Sequence, residues 1–146
     1  MDKLFQRGID DIGIGTLFIC HDGKGNILMQ KRSDNRKTDP SAWDVGAGTL
    51  EWGLSLGENV RREVKEEYCA DVLAIEFLGY REIIDDLNWK KQHWICFDYK
   101  VLVNPKTVAI GEPDKVTEIG WFTKDKLPSP LHALEEIVFK KYWEKI

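Results

Sequence analysis

Gly48-Thr-Leu-Glu-Trp-Gly-Leu54-Ser-Leu-Gly-Glu58-Asn-Val-Arg-Arg62-Glu-Val-Lys-Glu66-Glu67-Tyr-Cys69-Ala70 is the stretch on which the fold turns. Inside it, Ser55-Leu-Gly-Glu58 has the form of a capping box. The Ser hydroxyl and the Glu carboxylate there satisfy free amides of a first helical turn, which predicts a helix over 55–68. That helix carries six charged residues in the seven from Arg61 to Glu67. Glu63 and Glu66 are spaced i,i+3, and Glu63 and Glu67 i,i+4, so the three carboxylates share one face. Like charges so placed repel by a few tenths of a kcal/mol per exposed pair. A hard divalent cation turns that repulsion into coordination, and magnesium takes one or two protein carboxylates plus waters and substrate phosphates. A solvated helix face, with Arg61, Arg62 and Lys65 as salt-bridge partners, has the same appearance. These seven residues alone leave both readings open.

Upstream, Asp11–Cys20 alternates as a strand through Ile12, Ile14, Leu17 and Ile19. His21-Asp-Gly-Lys-Gly-Asn26 is a turn cluster, and Ile27–Arg32 is the returning strand of a hairpin. Ser33–Ser41 reads as a loop, and Trp43–Gly48 as a short buried strand running into a Gly-containing loop. Downstream, Val72–Ile84 is rich in aliphatic and aromatic residues and precedes a turn-like Asp85-Asp-Leu-Asn88. His93–Val103 places Ile95, Phe97, Tyr99 and Val101 on one face, and Glu118–Phe122 is a further short strand. After Pro128-Ser-Pro130, the helical spacing of Leu131, Leu134, Ile137, Val138 and Tyr142 predicts a terminal helix packed on a core. Strands, one internal helix, more strands and a last helix make a mixed α/β class. The hairpins argue against a doubly wound parallel sheet.

At 146 residues the chain has the length of one domain, and we expect a single domain over 1–146. With 42% hydrophobic and 32% charged residues, it has enough apolar surface to fold, which excludes a disordered or collagen-like chain. Its 21 Lys and Arg against 25 Asp and Glu leave a net charge of −4, which argues against a nucleic-acid polymer as partner. No apolar run reaches membrane-spanning length, and Met1-Asp-Lys-Leu-Phe-Gln-Arg lacks the apolar core of a signal peptide. Three separated cysteines without a CxxC, and three histidines without a zinc-binding pattern, argue against a disulfide framework and a zinc enzyme. The expectation is a cytoplasmic protein.

Read with its upstream loop, the opening stretch becomes Gly48-x5-Leu54-x7-Arg62-Glu63-Val64-Lys65-Glu66-Glu67-Tyr68-Cys69-Ala70. It resembles the Nudix box, G-x5-E-x7-R-E-U-x-E-E-x-G-U, where U is aliphatic. Gln30-Lys-Arg32, Pro40-Ser-Ala-Trp43 and Glu112-Pro-Asp-Lys-Val-Thr-Glu118-Ile-Gly-Trp-Phe122 are similar to what the family carries outside the box. The resemblance runs from about residue 11 to the C-terminus. Two positions depart: Leu54 stands for the first Glu and Cys69 for the closing Gly. The first departure leaves Arg62 to Glu51 or to Glu58. The second puts a side chain where positive φ is often needed, at a cost of about 1 kcal/mol.

The resemblance implies an α/β/α sandwich with a mixed sheet, the box forming a loop–helix–loop beside it. It implies Mg2+, with Mn2+ as substitute, held by Glu63, Glu66, Glu67 and the Gly48 carbonyl, and Arg62 steadying the carboxylates. The implied reaction is hydrolysis of a nucleoside diphosphate linked to X, foremost a nucleoside triphosphate to monophosphate and pyrophosphate. Glu66 joins the catalytic set. The general base is sought outside the box, with Glu118 first because strand alternation aims it away from Ile119 and Trp121, and Glu112 and Asp114 as rivals. Arg32 is a candidate phosphate contact, since a guanidinium matches that geometry, with a strand-end surface Arg as the competing reading. Trp43 and Trp121 are base-stacking candidates, with core packing as the competing reading. A small-molecule nucleotide is the expected partner, and dimers are common in the family. Alternatives are an ADP-ribose or dinucleotide pyrophosphatase, a degenerate domain that holds nucleotide without hydrolysing it, and an isopentenyl diphosphate isomerase-like enzyme. The last is disfavoured because Trp43–Gly48 contains no Cys.

Overall fold

The computed structural model describes residues 4–87 and 90–146. Among them, seven strands and two α-helices follow in the order β1 (Gly13–His21), β2 (Ile27–Arg32), β3 (Trp43–Asp44), β4 (Gly46–Thr49), α1 (Leu56–Tyr68), β5 (Val72–Leu87), β6 (Lys90–Val103), β7 (Val116–Phe122) and α2 (Ala133–Tyr142). They build one sheet in the order β3-β2-β1-β6-β5, with β4 on β1 and β7 on β2. The β1–β6 pair is parallel and the other pairs are antiparallel, so the sheet is mixed as expected.

The two helices cover opposite faces, which makes the α/β/α sandwich. Val60, Val64 and Tyr68 of α1 close over Phe18, Cys20, Leu28, Tyr99, Val101 and Val103. Val138, Phe139 and Tyr142 of α2 close over Leu17, Ile19, Ile27, Met29 and Leu78. Val60 and Val64 are both fully buried, and full burial of each such side chain is worth about 1.5–3 kcal/mol. Because β1 is covered on both sides, Leu17 and Phe18 are equally core residues, and its apolar run continues through both faces. Likewise β6 turns Phe97, Tyr99 and Val101 toward α1, while Cys96 and Asp98 lie buried on its other face.

Several boundaries differ from the sequence reading: the first strand runs Gly13–His21 and the sixth already begins at Lys90. The expected strand at Trp43–Gly48 is two short strands with different partners: Trp43 and Asp44 pair with β2, and Gly46–Thr49 with β1. Residues 85–87 of the expected turn are paired in β5 opposite Lys90–Gln92; Asn88 lies outside the described residues. The last strand begins at Val116, two residues early. Among the described residues, no helix is long and apolar enough to cross a membrane.

Candidate active site

The capping box forms as read. Ser55 Oγ accepts from Glu58 N at 3.2 Å, and Glu58 Oε2 accepts from Ser55 N at 2.8 Å. Glu58 is thereby committed to the helix start. Helix α1 ends at Cys69, which adopts φ 57° in the left-handed region, and its N–H donates to Lys65 O. The strain expected from the missing Gly is therefore present in the fold.

Along α1, Glu67 sits on the buried stripe with Asn59, Val60, Val64 and Tyr68. The Glu63 side chain is largely buried, and that of Glu66 is half exposed. Arg62 reaches three carboxylates: Glu63 Oε1 at 2.9 Å, Glu66 Oε1 at 3.2 Å and Glu51 Oε2 at 3.3 Å. The Glu51 contact is an ion pair without hydrogen-bond alignment at Nε. Glu51, not Glu58, thus occupies the place that Leu54 vacates. The loop carrying Glu51 is held by Asn59, which is fully buried. Asn59 Nδ2 donates to Thr16 Oγ1 and the Thr49 carbonyl, and its Oδ1 accepts from Glu51 N and Arg62. Sequence reasoning passed over Asn59, although a polar residue on the apolar stripe of an amphipathic helix is the signal that could have found it.

Gly48 lies opposite Thr16 on β1. A Cβ there would come within 2.4 Å of the Glu63 carboxyl carbon, so only glycine lets the loop backbone approach that carboxylate. A second close approach sits at the other end of α1. Gly111 N donates to Glu67 O, and a Cβ on Gly111 would fall 1.9 Å from Glu66 O. This contact folds the following residue, Glu112, into the same cavity.

That cavity, of about 680 Å3, is lined by Gly48, Glu51, Arg62, Glu63, Glu66 and Glu67 on the box side. Crowded carboxylates perturb one another there. Burial, then Glu63, Glu112 and Asp44, push the Glu67 carboxyl up to about 9. Burial also raises Glu63, against the pull of Arg62. Glu67 Oε2 is buried without a hydrogen-bond partner. A buried carboxyl oxygen without a partner, crowded by further carboxylates, fits a hard cation, which would bind the ionised form. The donors are all oxygens, which suits magnesium and not a thiolate- or imidazole-seeking metal. Among the described residues, no three His, Cys, Asp or Glu side chains already converge as a ligand set; Arg62 lies bonded between Glu63 and Glu66.

The remaining candidates divide. Arg32 lines the cavity, but its Nη1 is spent on Asp44 at 2.8 Å and its Nε and Nη2 on Thr38. Asp44 is further held by Gln30 Nε2. Glu118 does not reach the cavity. Gln30, which lines it, pairs with Ile119, so alternation sends Glu118, opposite Lys31, to the other face, where it is exposed. Glu112 is on the cavity wall and Asp114 is not. Trp43 is buried in the α2-side core, edge-on to Phe122 at 5.2 Å, and Trp121 packs against the α1-side core, so both are packing residues.

The far end of the cavity holds residues that sequence reading missed. Arg81 donates twice to the fully buried Asp98, at 2.7 and 2.8 Å, and Tyr142 Oη donates to the same carboxylate. Glu135 lies nearby, buried, with its pKa raised mainly by desolvation. No spacing rule links β5, β6 and α2, so this cluster carries no local sequence signal.

Comparison with known proteins agrees with this geometry. The chain is 27% identical over 114 residues to the NAD-capped RNA hydrolase NudC of Pseudomonas aeruginosa, covering 78% of this chain and 37% of that protein. It is 29% identical to the Nudix hydrolase YfcD of Escherichia coli, covering 77% and 59% respectively. The chain thus spans between about a third and three-fifths of the length of these curated relatives. A crystal structure of a MutT NUDIX hydrolase from Burkholderia pseudomallei superposes with TM-score 0.78 at 26% identity, covering 90% of this chain and 98% of that one. A MutT protein from Bacillus halodurans superposes at 0.69 with 25% identity, covering 88% and 80%. The family model of the NUDIX domain matches residues 12–142, and with the box geometry described above this chain belongs to the Nudix family.

Proposed function

We propose that the protein is a Mg2+-dependent pyrophosphohydrolase that cleaves a nucleoside diphosphate linked to X, with Mn2+ able to substitute. The observation that carries this reading is the partnerless, buried Oε2 of Glu67 beside Glu63, in a cavity where burial, and then the neighbouring acids, raise both carboxyls. Glu63, Glu66 and Glu67, with the Gly48 carbonyl, would hold the ion. An ion held there would supply charge neutralisation for pyrophosphate oxygens and a lowered pKa for the attacking water. Arg62 orients Glu63 and Glu66 and is itself fixed by Glu51 and Asn59, so the carboxylates are positioned before substrate arrives.

Glu112 takes the place first given to Glu118 as acceptor of the proton released by the attacking water. It stands on the cavity wall, close enough to raise both Glu63 and Glu67. Water attacks phosphorus, the bridging P–O bond breaks, and the leaving phosphoryl oxygen departs toward the basic wall formed by Arg32, Arg36 and Lys115. The substrate class we favour is a nucleoside triphosphate, giving monophosphate and pyrophosphate. The reading as a degenerate binding domain rested on Leu54, and Glu51 weakens it by supplying the missing partner of Arg62. The test is a product screen over nucleoside triphosphates, nucleotide sugars, dinucleotides and ADP-ribose, with Mg2+ and with Mn2+. Stoichiometric monophosphate and pyrophosphate from a triphosphate is the expected result. Tight nucleotide binding without turnover on any substrate would overturn it.

A further inference from the structure

We propose that Gln30 and Glu135 read the base of the nucleotide, holding a ring nitrogen that accepts a hydrogen bond beside an exocyclic amine, the edge that adenine and cytosine share. The inference rests on the nucleotide reading above and names the base that such a substrate carries. Both residues line the main cavity, and they are only 4% and 5% exposed. Among the described residues, Gln30 Oε1 and Glu135 Oε2 have no hydrogen-bond partner. A buried polar atom left unpaired is costly, and two of them on the wall of one cavity point to a ligand.

Each group is fixed by a contact on its other atom. Gln30 Nε2 donates to Asp44 Oδ1 at 2.9 Å, which leaves the amide carbonyl as a free acceptor. Asp44 stands opposite Gln30 in the β2–β3 pair and binds Arg32 through its second oxygen. Glu135 meets the same corner from α2. It feels the Asp44 charge, and the N–H of the next residue, Val45, donates to its carboxyl. That bond falls on Oε1, since Oε2 has none. An acid in the first turn of a helix ordinarily serves the macrodipole from the surface. Glu136 is exposed there, whereas Glu135 beside it is turned inward.

The surroundings of Glu135 decide which form of the carboxyl a ligand meets. Burial, then the like charge of Asp44 and that of Asp98, raise its pKa well above the ordinary carboxylate range, against the pull of Arg81. Arg81 is engaged twice by Asp98, and Arg32 by Asp44 and Thr38. A neutral carboxyl presents an O–H donor at Oε2, next to the Gln30 acceptor. Adenine and cytosine carry the complement, a ring nitrogen that accepts beside an amine that donates. Uracil and guanine both place a ring N–H there, which sets donor against donor. Leu17, Val45, Ile83 and Leu134 line the same cavity and suit the faces of a flat ring.

The experiment measures binding of α,β-methylene nucleoside triphosphates, which cannot release pyrophosphate, to the intact chain by calorimetry in Mg2+. The adenosine and cytidine analogues are expected to bind at least about tenfold more tightly than the guanosine and uridine analogues, because mismatched edges leave buried polar groups unpaired. Deleting only the amine, in the purine riboside analogue, should cost at least about tenfold relative to adenosine, a comparison that needs no variant. Glu135→Gln should keep the preference, because Val45 N–H takes the Gln oxygen and turns its amide N–H to the place of the O–H. Glu135→Met, of similar size without a donor, should bring the four bases within about twofold, with the thermal midpoint recorded to confirm folding. Equal wild-type affinities for the four bases, a guanosine preference, a purine riboside bound as tightly as adenosine, or an undiminished preference in folded Glu135→Met overturns the proposal. Turnover of the unmodified triphosphates is scored separately. The base preference without turnover upholds the recognition role and refutes the hydrolytic reading. Turnover without the base preference does the reverse.

Discussion

Replacing Glu67 by Gln tests the site through three linked quantities: turnover, the pH dependence of stability and the response to Mg2+. The folded carboxyl is pushed up to about 9, chiefly by burial, from an ordinary value near 4.5. A raised folded pKa means that, between roughly pH 4.5 and pH 9, the unfolded chain releases a proton that the folded chain keeps. Stability from this group is then fully present below pH 4.5 and declines as pH rises, by at most about 1.4 kcal/mol per pH unit, until the folded carboxyl itself ionises. Glutamine cannot ionise, so in chelator the Glu67→Gln thermal midpoint should fall less than the wild type between pH 5 and 9. Added Mg2+ binds the ionised form and should restore the wild type more at pH 8 than at pH 6, while leaving Glu67→Gln nearly unmoved. Turnover of the best substrate should drop at least about a hundredfold, or roughly 2.7 kcal/mol of transition-state stabilisation. Scanning fluorimetry across pH with and without Mg2+, alongside steady-state kinetics, reads all three. Superimposable pH profiles and equal Mg2+ responses in the two proteins would refute the reasoning.

Other outcomes follow from the same contacts. Glu51→Gln should lower turnover several-fold by releasing Arg62, whereas Leu54→Glu should leave it within about twofold, because Glu51 already fills that role; kinetics of both variants decide it. Asn59→Ala leaves the buried Thr16 hydroxyl and the Thr49 carbonyl without their donor and frees the Glu51 loop. It should cost about 2–4 kcal/mol in denaturant unfolding. Glu112→Gln should reduce kcat at least about tenfold, while Glu118→Gln, on the exposed face, should leave it within about twofold; equal effects would remove Glu112 from the proton-accepting role.

How much of this was legible before folding depends on the range of each interaction. The capping box, the helix and the shared face of Glu63, Glu66 and Glu67 arise from spacings of three and four residues, and the structure carries them where the spacing put them. The strained end of α1 at Cys69 was equally local. The mixed α/β class followed from alternation and turn chemistry, but a period of two cannot say whether one face of a strand is covered or both. For that reason Asp98, buried on the second face of β6, had no signature.

Residue order along the chain determined the helix and its carboxylate face, because those interactions close within a few turns of backbone. Only tertiary structure decided that Glu51 stands in for Leu54, that Glu112 enters the cavity while Glu118 leaves it, and that Arg36 meets Lys115. Each of these depends on how separate loops dock against α1 and β2. Docking is set by non-local close approaches such as Gly111 on the end of α1 and Ser33 on the turn before β7, which no spacing along the chain encodes.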